Sequence, residues 1–205
     1  MPKLDFKKDL KQFYNPSAKQ CVLIDVPPMN FLMLDGAGNP NTAPAFTEAT
    51  ETLYSVAYTL KFMVKTGEQA VDYTVAPLEG LWWAEDMAEF SVERKDDWLW
   101  TLLIMQPEFV TPALVEGAKA EAARKKTLPA LARLRFERYQ EGTAAQIMHI
   151  GPYAAEGPTV AKLHQFIAES GYALHGKHHE IYLSDPRRAA PEKMKTVIRQ
   201  PVKPK

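Results

Sequence analysis

The sequence is short of cysteine, of net charge and of long apolar runs, and each shortage removes a class of explanation. A single cysteine, Cys21, stands among 205 residues. That excludes an internal disulfide framework and fits a reducing compartment. Cys21 lies in the apolar run Cys21–Ile24 with no base placed to activate it, so a small buried thiol is expected rather than a nucleophile. The 25 basic and 25 acidic side chains cancel to a formal charge of zero, which argues against a broad footprint for nucleic acid or anionic membrane. The tail Arg199–Lys205 is basic but short and proline-rich, and reads as a solvated end. No apolar run approaches the roughly 20 residues that cross a bilayer. The opening MPKLDFKKDLKQF carries charge where a signal peptide needs its apolar stretch. A soluble, cytoplasmic protein is the expectation, with chain enough for one large domain or two small halves.

What is present is a pattern stated twice. In the first half Phe31–Leu34 reads as a strand ending at Asp35-Gly36-Ala37-Gly38. A helix follows, with Phe46, Ala49, Leu53, Val56, Ala57 and Leu60 on one face. Val71–Ala76, stopped by Pro77, and Trp98–Met105, stopped by Pro107, read as strands. In the second half Ala145–Ile150 ends at Gly151-Pro152. Val160, Leu163 and Ile167 share a helix face, His179–Leu183 stops at Asp185-Pro186, and Lys195–Ile198 stops before Pro201. Each half gains a leading strand, Cys21–Val26 and the alternating Arg133–Glu137, and Glu141-Gly142 makes a hairpin turn into Thr143–Ile150. Short turns imply antiparallel pairing. Thr111-Pro112 starts a connector helix over residues 112–126. The expectation is one α+β domain over residues 1–205, built of β-α-β-β modules at about 19–110 and 130–202. Helices would cover one face of an antiparallel sheet. Too little chain precedes the first strand for a DNA-binding module.

The chemistry gathers at Gly176–Pro186. His178, Glu180 and Tyr182 alternate against His179, Ile181 and Leu183, so the carboxylate and phenol share a strand face. Ile181 and Leu183 are expected to face the helices, leaving Glu180 and Tyr182 on the uncovered side. A strand glutamate is ordinarily solvated. On a convex wet surface the pair does nothing; on a surface that curves around it the pair lines a pocket. Trp82, Trp83 and Trp100, with Tyr73 and Tyr153, are the aromatic candidates for its walls. Clustered tryptophans ordinarily pack a core, yet Trp82 and Trp83 point opposite ways on an extended chain, so some indole surface is expected to face a planar or cationic ligand. His175, His178 and His179 do not converge as metal ligands, because adjacent strand residues diverge, and no metal is expected. Asp35–Pro40 lacks the spacing of either glycine-rich phosphate loop; its glycines suit a strand-to-helix bend. No nucleophile elbow or Ser-His-Asp arrangement occurs, and no cofactor is expected.

D-G-x-G-N-P after the first strand, PLEGLWW in the middle, GPY at the second bend and HHEIYLSDP near the end resemble the GyrI-like small-molecule-binding domain family over nearly the whole chain. The resemblance implies duplicated β-α-β-β modules in a curved antiparallel sheet, a ligand cleft between the halves, and a late-strand glutamate, here Glu180, as its central acid. It also implies a stand-alone protein for hydrophobic, aromatic or cationic small molecules. Members of that branch bind drugs, inhibit gyrase or hydrolyse reactive cyclopropane-containing compounds. Binding and hydrolysis both stay open. In the first, Glu180 complements a cation flanked by Trp83, Trp100, Tyr153 or Tyr182, with Trp82 and His178 nearby. In the second, Glu180 activates water and Tyr73 or Tyr182 donates a proton. A gyrase-inhibitor-like interaction module is the alternative, and oligomeric state is not readable.

Overall fold

A computed structural model describes residues 3–87 and 94–205. In chain order its elements are helices α1 (Phe6–Asp9) and α2 (Lys11–Tyr14), strands β1 (Val22–Val26) and β2 (Met29–Ala37), and helix α3 (Pro44–Thr66). Strands β3 (Leu78–Trp83) and β4 (Leu99–Gln106) follow, then helix α4 (Pro112–Lys125), strands β5 (Arg135–Tyr139) and β6 (Gly142–Ile150), and helix α5 (Gly157–Glu169). Strands β7 (Tyr172–Leu174), β8 (His178–Tyr182) and β9 (Lys195–Pro204) complete the chain. The fold is α+β, and the strand pairings described below are antiparallel. The chain divides into two units, one holding the described residues of Met1–Phe6 and Met29–Tyr139, the other Lys7–Pro28 and Gln140–Lys205.

In the first unit the strands run in the order β3-β4-β2-β5. Helix α3 begins with Pro44, whose missing N–H is no loss in a first turn. It buries Ala49, Leu53, Val56, Ala57, Leu60 and Val64, the spacing that the sequence carries. Its Phe46 stacks on Trp82 and meets Trp100 edge-on. The Trp100 ring lies over Gly36, where a Cβ would come within 2.1 Å of the indole. On α4, Thr111 Oγ1 accepts the Leu114 N–H as an N-cap. Val71–Ala76, expected as a strand, makes only an isolated bridge at Tyr73 to Leu4. The paired strand begins after Pro77 instead, at Leu78.

In the second unit the order is β8-β9-β6-β1, with β7 beyond on β9. Leu163 and Ile167 of α5 pack on Ala145, Ile147, Ile198 and Val202, which fixes the helix-covered face of this sheet. Strand β9 does not stop before Pro201. It runs on to Pro204, and the Pro201 carbonyl still accepts from the His175 N–H at 2.9 Å. Arg199, expected in a solvated tail, is therefore one of the most buried side chains of the protein.

The two orders are the same, strand for strand, but the leading strands are exchanged. β1 precedes β2 in the chain yet pairs with β6, and β5 precedes β6 yet pairs with β2. Glu141-Gly142 is thus no hairpin turn. Gly142 has φ +75° and starts β6, while Glu141 turns inward.

Candidate functional site

Strand β8 places His178, Glu180 and Tyr182 on one face. Its register with β9 sets Glu180 opposite Ile198 and Tyr182 opposite Thr196. Ile198 belongs to the core beneath α5, so Glu180 and Tyr182 face the helix-covered side. The sequence pattern assigned that side to Ile181 and Leu183. Ile181 is buried against the other face, where its partner is Val197. The apolar alternation failed here because both faces of this sheet are buried, leaving burial no side to discriminate.

Glu180 is engaged through both oxygens. Tyr182 donates its hydroxyl to Oε2 at 2.8 Å, and His178 Nε2 lies 3.2 Å from Oε1. The carboxylate side chain keeps 16% of its exposure and His178 keeps 9%, so the group is sheltered but reachable. Burial alone would raise its pKa. The hydrogen bond and charge of His178, the Tyr182 hydroxyl and the charge of His179 outweigh that, and hold the carboxyl below the usual carboxylate range. Tyr153, from the single turn after the Gly151 bend, sets its ring edge-to-face on Tyr182 at 5.5 Å. Gly151 permits that bend with φ +142°. Tyr153 stays 40% exposed, an open aromatic wall beside an ionised acid.

Behind the strand, on the opposite face, lies a second charged group that sequence reasoning missed. His179 Nδ1 meets Glu141 Oε1 at 2.8 Å, and Arg199 donates to Glu141 Oε2 at 3.0 Å. Arg199 also donates to Gln146 Oε1 at 3.0 Å and to the Phe13 carbonyl at 2.8 Å. The side chains of Glu141 and His179 are each 2% exposed. Glu141 read as a turn residue because Gly follows it; no local signal marks a buried ion pair whose partners lie 38 and 58 residues away.

The structure thus brings His178, Glu180, Tyr182 and Tyr153 together. Tyr73, Trp82, Trp83 and Trp100 belong to the first unit. Trp100 is fully buried, with its ring enclosed by Phe46 and Gly36 and its N–H donated to the Gly38 carbonyl. Trp82 is buried between Phe46 and Trp98. Tyr73 is buried between Phe6 and Phe109. For Trp82 and Trp100 the expectation of open indole surface is corrected: the long helix α3 brings Phe46 onto them. Trp83 is half-buried at the end of β3. Among the described residues no group of three or more His, Cys, Asp or Glu is placed to hold a metal ion. No helix among them is long and apolar enough to cross a membrane.

The GyrI-like small molecule binding domain model matches residues 19–203. A hydrolase from Listeria innocua of known structure is 45% identical, with a TM-score of 0.88 over 98% of this chain and 100% of that one. An uncharacterized conserved protein from the same organism is 46% identical, with a TM-score of 0.91 over the same shares. The C-terminal domain of EcmrR, at 13% identity and a TM-score of 0.58 over 91% of this chain and 98% of that one, shares the fold. No curated protein matches the chain.

Proposed function

The chain belongs to the GyrI-like small-molecule-binding family, and from that premise we propose that it binds a flat, strained electrophile beside Glu180 and hydrolyses it. One observation carries this reading: Glu180 is sheltered, held ionised, and hydrogen-bonded to a phenol that can give up a proton. The 45% identity to a protein described as a hydrolase supports it.

For a cyclopropane conjugated to a carbonyl the step balances within these groups. Water adds its oxygen to the ring carbon and its proton passes to Glu180. The carbon–carbon bond breaks, and its electron pair moves to the carbonyl oxygen, which takes the Tyr182 proton. The proton on Glu180 then returns to Tyr182 across the 2.8 Å hydrogen bond. Acid–base help of this kind is worth roughly 10²–10⁴-fold, enough for a substrate already strained. Tyr153 offers its exposed ring as a stacking surface.

The test is turnover of a spirocyclopropyl cyclohexadienone by the wild type and Glu180→Gln. Loss of at least 10²-fold in the variant, with binding retained, is expected. Tight binding of a cationic rhodamine without turnover of the dienone would replace hydrolysis with sequestration. Equal turnover by the two proteins would remove Glu180 from the reaction.

A further inference from the structure

Thr196 Oγ1 on β9 and His164 Nε2 on α5 are two of the three buried side-chain polar atoms of the second unit with no hydrogen-bond partner among the described residues, Glu156 Oε1 at the start of α5 being the third. Thr196 and His164 belong to the side of the sheet that Glu180 faces. Thr196 is fully buried and directly opposite Tyr182, a relation that puts the two Cβ atoms about 4.5–5.5 Å apart. Its neighbour on the other side is His149. The ring nitrogens of His149 are already taken by Thr159 Oγ1 at 2.9 Å and the Pro152 carbonyl at 3.3 Å. His164 follows Leu163, a residue that packs on Ile198, the cross-strand partner of Glu180. Burial first, and then the charge of His178, push the His164 pKa down. His164 is therefore held as a neutral imidazole within electrostatic reach of His178.

A buried polar group without a partner destabilises the fold, and native proteins rarely keep one without a use for it. Two on one face, one beside Tyr182 and one within electrostatic reach of His178, call for a common cause. We propose that Thr196 and His164 are substrate-contacting residues of the Glu180 site, giving hydrogen bonds to polar groups on the ligand. The ligand class that fits carries a carbonyl or ether oxygen for the threonine hydroxyl and a second polar group for the imidazole. Both sit on a flat body that Tyr153 and Tyr182 can flank. A cation with only hydrocarbon surface leaves both atoms unsatisfied. This inference rests on the proposed reaction at Glu180.

The experiment uses the full chain and an amide-substituted spirocyclopropyl cyclohexadienone, with kcat/KM and Tm measured for Thr196→Val, Thr196→Ser, His164→Phe, His164→Gln and Glu180→Gln. Thr196→Val and His164→Phe are expected to lower kcat/KM at least tenfold while Tm holds or rises by about 2–4 °C, because each removes an unsatisfied atom. Thr196→Ser and His164→Gln, which keep a polar group in place, are expected to recover most of the activity. Wild-type kcat/KM in both apolar variants overturns the inference. So does a Tm that falls in step with activity, which would mark a packing role. Glu180→Gln separates the two levels: if it is inactive while the apolar variants behave as wild type, only this inference fails. If Glu180→Gln keeps its turnover, the proposed reaction itself fails.

Discussion

Tyr182 donates its hydroxyl to Glu180 Oε2 at 2.8 Å from two positions along the same strand, a geometry that the two-residue period of β8 imposes. The phenol steadies the ionised form of the acid, so removing it raises the Glu180 pKa. Tyr182→Phe is expected to move the acid limb of the kcat/KM profile to higher pH. Tyr182 is also the proton donor of the proposed step, and positioned acid–base help is worth roughly 10²–10⁴-fold, so the activity on the dienone should fall by about 10²-fold or more. The pH–rate profile is the measurement, and an unmoved acid limb would contradict the assignment.

Glu141 predicts how the fold responds to acid. Burial would raise its pKa, but the charges and hydrogen bonds of His179 and Arg199 hold it at about 2, against an ordinary 4.5. A depressed carboxylate stabilises the fold fully above its unfolded pKa, and that contribution disappears as pH falls through the folded one. The window is therefore from about pH 4.5 down to about pH 2, and the amount is on the order of 3 kcal/mol. Urea unfolding of the wild type should show this loss between pH 5 and pH 2.5, whereas Glu141→Gln should lack that part of the slope. The variant is also expected to start lower at pH 7, because Arg199 is left buried without its carboxylate. Parallel pH curves for the two proteins would exclude Glu141 as the source.

Gly36 is held to its identity by Trp100. A Cβ there would come within 2.1 Å of the indole, and that ring is fully enclosed. The backbone at Gly36 is ordinary β-strand, so the penalty of Gly36→Ala is steric alone. It should destabilise the protein by about 3 kcal/mol or more, with near-ultraviolet circular dichroism reporting a displaced tryptophan. Combining it with Trp100→Leu should return part of that loss, since the two changes share one space.

Much of this was legible in the sequence because glycine and proline punctuate it. The α3 face, the Thr111 cap, most strand positions and the shared face of His178, Glu180 and Tyr182 all follow from local periodicity. The direction of that face did not. Ile181 and Tyr182 are both amply covered, and only the register with Ile198 and Thr196 decides which side α5 takes. Nor did the burial of Trp82 and Trp100, which depends on Phe46 arriving from a helix. Aligning the units on Met33 and Met148, whose partners are Leu103 and Val197, puts Leu78 where Glu180 stands. The acid is thus a departure of one repeat from the other, and no repeat pattern could announce it.

The exchange of leading strands is the part of the fold that sequence neighbours conceal, and it makes the last prediction. Only Pro27 and Pro28 separate β1 from β2, yet the ladder of β1 is with β6, where Leu23 faces Ala145 and Ile24 faces Ala144. Successive N–H groups of a strand point to opposite edges, so one of Leu23 and Ile24 donates to β6. Proline there removes that donor. Of Leu23→Pro and Ile24→Pro, one should therefore strip amide-exchange protection from those N–H groups of Ala144–Gln146 that point to β1, while those pointing to β9 and Leu32–Leu34 in β2 stay protected. A pairing of β1 with its sequence neighbour predicts the reverse. The exchange rates at those two short stretches decide between them, since β2 draws its hydrogen bonds from β4 and β5 instead.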